Sequence, residues 1–225
     1  TKLLNATKFV LGAGPVTEGA VPTQPIDIAM LQRLNDVINE ATTGFESYDY
    51  ARALERTEAF FWWFCDDYLE LVKTRAYDAD EFAMSARVAL QRALSAMQRL
   101  FAPHIPFATE EVWGWWQDGS IHQSSWPTTN DVLSGCALTD NFDQLLDATC
   151  TVISAIRRTK TEAKVTQKSV VEHVSVSATT EQIALLKLTL TDVTNAGVAQ
   201  VIEFSSHDAE YIATIARLAP ITDTN

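Results

Sequence analysis

The sequence predicts a mainly α protein, an antiparallel helical bundle followed by a small α/β appendage. Apolar residues recur at steps of three and four through five successive segments between Thr1 and Trp116, the period of a helix with one buried stripe. The links between these segments are short, so consecutive helices must fold back on one another. After Trp116 that rhythm stops, and near Val170 an alternation of period two replaces it. A domain boundary is therefore expected at 137/138, with a helical bundle over 1–137 and a helix plus a small α/β region over 138–225.

The elements follow in order. Thr1 to Leu11 places Leu3, Leu4, Phe9, Val10 and Leu11 among polar residues and stops at Gly12 and Gly14, a short helix with a glycine ending. Three prolines and Gly19 between Pro15 and Pro25 mark a surface connection. Leu31, Leu34, Ile38, Ala41 and Phe45 form the stripe of a second helix that ends near Gly44. The rhythm resumes through Leu54, Thr57, Phe61, Phe64, Tyr68 and Leu71; as one helix from Asp49 to Val72 it would reach ~36 Å. A fourth helix, from Asp80 to Phe101, is expected to turn Phe82, Ala86, Ala89, Ala93, Met97 and Leu100 inward and Arg87, Gln91, Gln98 and Arg99 outward. A fifth runs from Pro106 to Trp116, with proline in its first turn and Glu110 and Glu111 close behind.

Gly119 to Pro127 reads as an irregular excursion, and 127–141 hold few periodic apolar positions. Leu145, Leu146, Thr149, Val152, Ile153 and Ile156 rebuild a helix, and Val170, Glu172, Val174, Ser175 and Val176 alternate as a strand. Thr179 or Thr180 can cap a helix through Ile183, Leu186 and Leu190 that ends at Gly197. Val198, Val201, Ile202 and Phe204 suit a last strand, and the pattern places nothing from Ser205 onward. Two strands alone make a marginal sheet.

Composition narrows the function classes. A chain of 225 residues, 47% apolar and 20% charged, is globular and large enough to build a core without disulfides or metal. Cys65, Cys136 and Cys150, odd in number and irregularly spaced, argue for a reducing compartment, with the cytosol as the default. No apolar run approaches the ~18 to 20 residues of a membrane span. Beginning with Thr1 rather than Met, the chain is expected to be a piece of a longer polypeptide. Its formal charge of −12 opposes any uniform basic coating of nucleic acid, so an RNA would have to meet a local patch.

Catalytic and metal-binding patterns are missing. His104, His122, His173 and His207 are scattered, without metal-ligand spacing to one another or to a cysteine. Gly12, Gly14 and Gly19 match no phosphate loop. Asp66 and Asp67 diverge by ~100° on a helix and read as a solvated acidic face rather than an acid/base pair. Four of the six tryptophans, Trp62, Trp63, Trp113 and Trp116, fall on helices where most serve packing. Trp63 shares a side with Arg52 and Arg56, a combination able to stack bases, although Asp66 and Glu70 would repel phosphate there. Arg157, Arg158, Lys160, Lys164 and Lys168 oppose the single Glu162. They read either as a solvated helix C-terminus favoured by the macrodipole or as a patch that tracks phosphates.

Four stretches carry a resemblance. Lys2, Asn5, Lys8 and Phe9, at steps of three, three and one, match the helix that opens the anticodon-binding domain of class Ia aminoacyl-tRNA synthetases. FFWWFCDDYLELVK, Phe60 to Lys73, resembles the valyl-tRNA synthetase version through its FCD and YLE elements. LFAPHIPFATEEVW, Leu100 to Trp113, looks like the run linking two bundle helices, and GSIHQSSWP, Gly119 to Pro127, like the excursion ending in Trp-Pro. Isoleucyl enzymes share the plan but usually lack this FCD and Trp-Pro pairing. The likeness covers residues 1 to about 127 well and Leu138 to Phe204 more weakly.

The resemblance implies a C-terminal piece of a valine-tRNA ligase that binds the anticodon stem-loop of valine tRNA without catalysing. The HIGH and KMSKS elements are absent, and ATP and Mg²⁺ would belong to the parent, whose catalytic domain would be a partner. The implied piece holds no cofactor, metal or catalytic residue, sits in the cytoplasm, avoids membranes and is a monomer. Candidate RNA-binding residues are Lys2, Asn5 and Lys8 from the matched motif, and Arg157 and Arg158 from charge clustering. Where the family commonly has arginine this chain has Lys8, a point charge in place of a planar fork. The basic coiled coil that closes many valyl enzymes is not expected. A rival reading is an acidic helical module that meets a basic protein partner and no RNA.

Overall fold

A computed structural model describes residues 1–219. The chain forms two compact units, Thr1–Leu69 with Arg75–Phe142, and Glu70–Thr74 with the segment from Asp143 onward. The architecture is mainly α, a helical bundle followed by a small α/β appendage.

In the first unit, α1 (Lys2–Gly12) buries Leu3, Ala6, Thr7 and Val10. Helix α2 (Pro25–Glu46) opens on a proline whose fixed φ suits a first turn, and Leu31, Leu34, Ile38 and Ala41 are buried as their spacing predicts. The link to α3 (Tyr50–Trp63) is three residues long, so α2 and α3 run antiparallel. They approach closely at Gly44, where a Cβ would stand 3.1 Å from the Asp49 carbonyl oxygen and 3.2 Å from Ala53 Cβ. Asp49 caps α3 by accepting from the Arg52 N–H at 3.1 Å.

The expected uninterrupted third helix is corrected in two respects. Its α geometry yields to a π-helical turn over Phe64–Tyr68, and helix then continues as α4 (Leu69–Ala76), four residues beyond Val72. A π-turn inserts one residue into the helical repeat and resets which side chains share a face. Phe64 and Tyr68 are both sealed from solvent, with rings stacked 5.6 Å apart. Tyr68 also reaches a buried polar hub: its hydroxyl donates to Asp27 Oδ1 at 2.7 Å. Asp27, fully buried, accepts two further bonds of 2.9 Å from the Arg75 guanidinium and one of 2.6 Å from Ser85. Ser85 Oγ in turn accepts from the N–H groups of Thr23 and Gln24, both at 2.9 Å, and so satisfies the entry to α2.

Helix α5 (Glu81–Phe101), capped by Asp80, buries Ala86, Ala89, Ala93, Met97 and Leu100. Two of its expected orientations are wrong. Phe82, expected inward, is 45% exposed at the first turn, where the bundle no longer covers it. Gln98, expected outward, has no exposed surface, because its amide donates to Thr7 Oγ1 at 3.2 Å and its oxygen accepts from Trp116 Nε1 at 3.1 Å. A polar side chain is buried at little cost when both ends are satisfied, and this one fixes α1 against α5. Helix α6 (Pro106–Trp113) stops three residues before Trp116. A short α7 (Thr129–Leu133) lies in the 127–141 stretch that holds few periodic apolar positions, held by a capping box between Thr128 and Asp131 around buried Val132.

The second unit holds α8 (Phe142–Glu162), β1 (Val171–Ala178), α9 (Thr180–Leu188), α10 (Leu190–Gly197), β2 (Ala199–Ser206) and β3 (Ala213–Leu218). Thr179 caps α9 in a box with Gln182. The single helix expected from there to Gly197 is broken at Thr189, whose hydroxyl lies 2.9 Å from that of Thr149 on α8. Gly197 closes α10 against α8, where a Cβ would meet Ile156 Cδ1 at 3.1 Å. The left-handed residue after the helix is therefore Val198, φ 50, and not the glycine. The sheet has order β2-β1-β3, parallel between β1 and β2 and antiparallel between β1 and β3. Strand β3, unplaced from sequence, supplies the third strand that a marginal pair lacks. Residues 220–225 lie outside the described residues.

Candidate nucleic-acid interface

Helix α1 presents its polar side outward. Steps of three turn a helix by 300°, so Lys2, Asn5 and Lys8 drift around an arc and span about 9 Å of axis. Asn5 and Lys8 are exposed and Lys2 is half-buried, while Leu3, Ala6, Thr7 and Val10 face the bundle. The structure thus brings the three motif residues of α1 onto one solvent-facing arc. Phe9, next to Lys8, packs edge-on against Tyr77 with ring centroids 5.7 Å apart.

Each lysine stands beside an indole, and Lys2 also beside a carboxylate. Lys2 Nζ lies 2.6 Å from Asp66 Oδ1 and 3.9 Å from the centroid of the Trp62 ring. Lys8 Nζ lies 5.7 Å from the Trp115 ring, and Trp115 Nε1 donates to Glu111 Oε1 at 3.0 Å. Asp66 belongs to the π-turn, so that distortion of the third helix bears directly on the site. An ion pair as exposed as Lys2–Asp66 is worth about 0–1 kcal/mol and exchanges readily for another anion. Cys65 adjoins Asp66 in the chain, and burial pushes its thiol up to about 11, while Lys2 pulls it down and Asp66 raises it further.

The basic run on α8 is not one surface. Arg158 is exposed and pairs with Glu162 at 2.8 Å, one turn away, which raises its pKa further. Arg157 is half-buried. Lys160, counted with them in the sequence, is a buried structural residue: its ammonium donates to the carbonyls of Gln167 at 2.8 Å and Gly197 at 2.7 Å. Burial first, and then the like charge of Arg157, lower its pKa. A patch of five phosphate-tracking cations is therefore overturned, because one of the five is used inside the fold.

Trp63 lies with Arg56 along one groove, as their shared side of the helix predicts. The Arg33 guanidinium lies 4.8 Å from its ring, beside a shallow groove of about 240 Å³ that Arg56 and Glu40, ion-paired at 2.8 Å, also line. Among the described residues no three His, Cys, Asp or Glu side chains gather as a metal site, and no helix is long and apolar enough to cross a membrane. Sequence reasoning treated Trp62 as packing and passed over Trp115. The signal that could have found them is their position beside the two motif lysines, and that depends on packing.

Comparison with known proteins identifies the family of the chain. Residues 27–176 match the family model described as the anticodon-binding domain of tRNA ligase; α1 lies ahead of the matched stretch. The chain is 44% identical over 223 residues to the valine–tRNA ligase of Thermobifida fusca, covering 97% of this chain and 25% of that protein. It is 44% identical over 207 residues to that of Cutibacterium acnes, covering 90% and 23%. With that of Salinispora arenicola it shares 43% over 226 residues, covering 92% and 26%. The chain spans about a quarter of the length of these curated relatives. With the family model matching well over half of its residues, the chain belongs to the family of tRNA-ligase anticodon-binding domains.

Proposed function

We propose that the chain grips the anticodon stem-loop of a tRNA, and that in a complete enzyme it does so for a valine–tRNA ligase. The observation that carries this is the solvent-facing arc of Lys2, Asn5 and Lys8 on a chain whose net charge is −12. Lysines fix the path of the phosphates without reading sequence, whereas the Asn5 amide offers a donor and an acceptor to the edge of an unpaired base. Arg157 and Arg158 supply further phosphate contacts. The relatives' names support valine tRNA as the cargo. In this reading the chain contributes binding alone, as a monomer in the cytoplasm, while a partner catalytic domain of the parent handles ATP and Mg²⁺.

Titration of the chain with valine tRNA and with an anticodon-altered control, at several salt concentrations, tests the proposal. Expected is salt-sensitive binding that prefers the native anticodon. Equal affinity for the two RNAs would reject anticodon reading, and no binding to either would reject the proposal as a whole.

A further inference from the structure

The six tryptophans divide into two sets. Trp113 is 8% exposed, Trp116 and Trp126 donate their Nε1–H groups to Gln98 and Thr42, and Trp63 lies under Arg33. Trp62 and Trp115 differ, keeping 50% and 37% of their surface in solvent. Large aromatic side chains are normally buried for most of their area, so two exposed indoles beside one helix call for an explanation. Both belong to the first unit and stand beside α1, one next to Lys2 and the other next to Lys8. The Glu111 bond holds the Trp115 ring by its edge and leaves the ring faces out of that bond.

We infer that Trp62 and Trp115 are stacking platforms for unpaired bases of the RNA loop, each screened in the free protein by the lysine beside it. This rests on the RNA-binding reading above and deepens it by assigning two residues to the unpaired bases rather than to phosphate. Stem bases are already paired and stacked on one another, whereas loop bases can splay onto an aromatic face. The exchange runs in the favourable direction. A surface cation–π contact is worth about a two- to fivefold preference, and stacking of a base on an aromatic side chain about tenfold. As a base arrives, Lys2 trades the Trp62 face and Asp66 for a phosphate, and Lys8 trades the Trp115 face likewise. The indoles favour any base, because every base has a π-face; choice among bases is left to Asn5.

The test compares two RNA hairpins of identical stem, one with an unpaired loop of natural bases and one whose loop is abasic and so keeps its phosphates. The wild-type chain should bind the natural loop about a hundredfold more tightly, about tenfold for each indole. Trp62→Leu and Trp115→Leu should each lose about tenfold on the natural loop and nothing on the abasic one, while Trp62→Phe retains most of the affinity. Unchanged melting temperatures exclude misfolding as the cause. Leucine variants that bind the natural loop as tightly as wild type, or that weaken both hairpins equally, would overturn the inference while leaving RNA binding intact. Absence of binding to either hairpin by the wild-type chain would instead remove the reading on which it rests.

Discussion

Removing the carboxylate at the buried hub should cost the bundle a large share of its stability. Asp27 accepts four hydrogen bonds, from Tyr68, Ser85 and, twice, Arg75, and Arg75 is itself only 6% exposed. Asp27→Leu keeps the branched heavy-atom skeleton but leaves a guanidinium in the interior without its counter-charge, a loss of about 3–5 kcal/mol. Against a total of about 5–15 kcal/mol for a natural domain, that is severe. All six tryptophans lie between Trp62 and Trp126, inside the first unit, so urea unfolding followed by tryptophan fluorescence reports that unit alone. With a urea dependence of about 2 kcal/mol per molar, the midpoint should fall by about 2 M. The double variant Asp27→Leu, Arg75→Met should recover most of the loss, because an apolar pair carries no desolvation penalty. A single variant within a few tenths of a molar of wild type, or a double variant no better than the single, would refute the charge argument.

The other predictions concern single side chains. Lys160 has a lowered folded-state pKa, so between that value and the ordinary 10.5 the unfolded chain binds more protons and stability rises with pH. The melting temperature of wild type minus that of Lys160→Met, followed by circular dichroism, should accordingly grow from neutral pH toward 10.5; a flat difference would contradict this. Cys65, with its thiol pushed up to about 11, should be alkylated by iodoacetamide far more slowly than a free thiol near neutral pH and accelerate as pH approaches 11, and equal rates would be inconsistent with its burial. Lys8→Ala should weaken RNA binding and reduce the salt dependence by about one counterion while leaving the melting temperature within about a degree. A clear fall in melting temperature would mark Lys8 as structural.

What the sequence could disclose follows from where the determining physics lies. Stripes such as Leu31, Leu34, Ile38 and Ala41 are local, and the helices they predict are present. The π-turn at Phe64–Tyr68 leaves no periodic trace, since FCDDY fits an α-helix equally well and only the Tyr68–Asp27 bond, 41 residues apart in the chain, shows what the extra residue achieves. By polarity Gln98 is expected to face outward, and Lys160 to be either a solvated helix end or part of a phosphate-tracking patch; each is buried because distant groups, Thr7 with Trp116 in one case and the Gly197 carbonyl in the other, satisfy it. Strand β3 needed its partner β1, since the segment after Ser205 has too little alternation of its own. At the site, the motif spacing was enough to put Lys2, Asn5 and Lys8 on one arc of α1. The indoles beside them could be recognised only once the exposure of all six tryptophans was known.

Lysine acylation read by mass spectrometry, with and without saturating valine tRNA, asks most directly whether the outer face of α1 receives the RNA. Lys2 and Lys8 should lose reactivity on complex formation while Lys187, exposed on α9, keeps it. If the complex forms and Lys2 and Lys8 stay as reactive as in the free chain, the RNA lies elsewhere and the proposed interface is wrong.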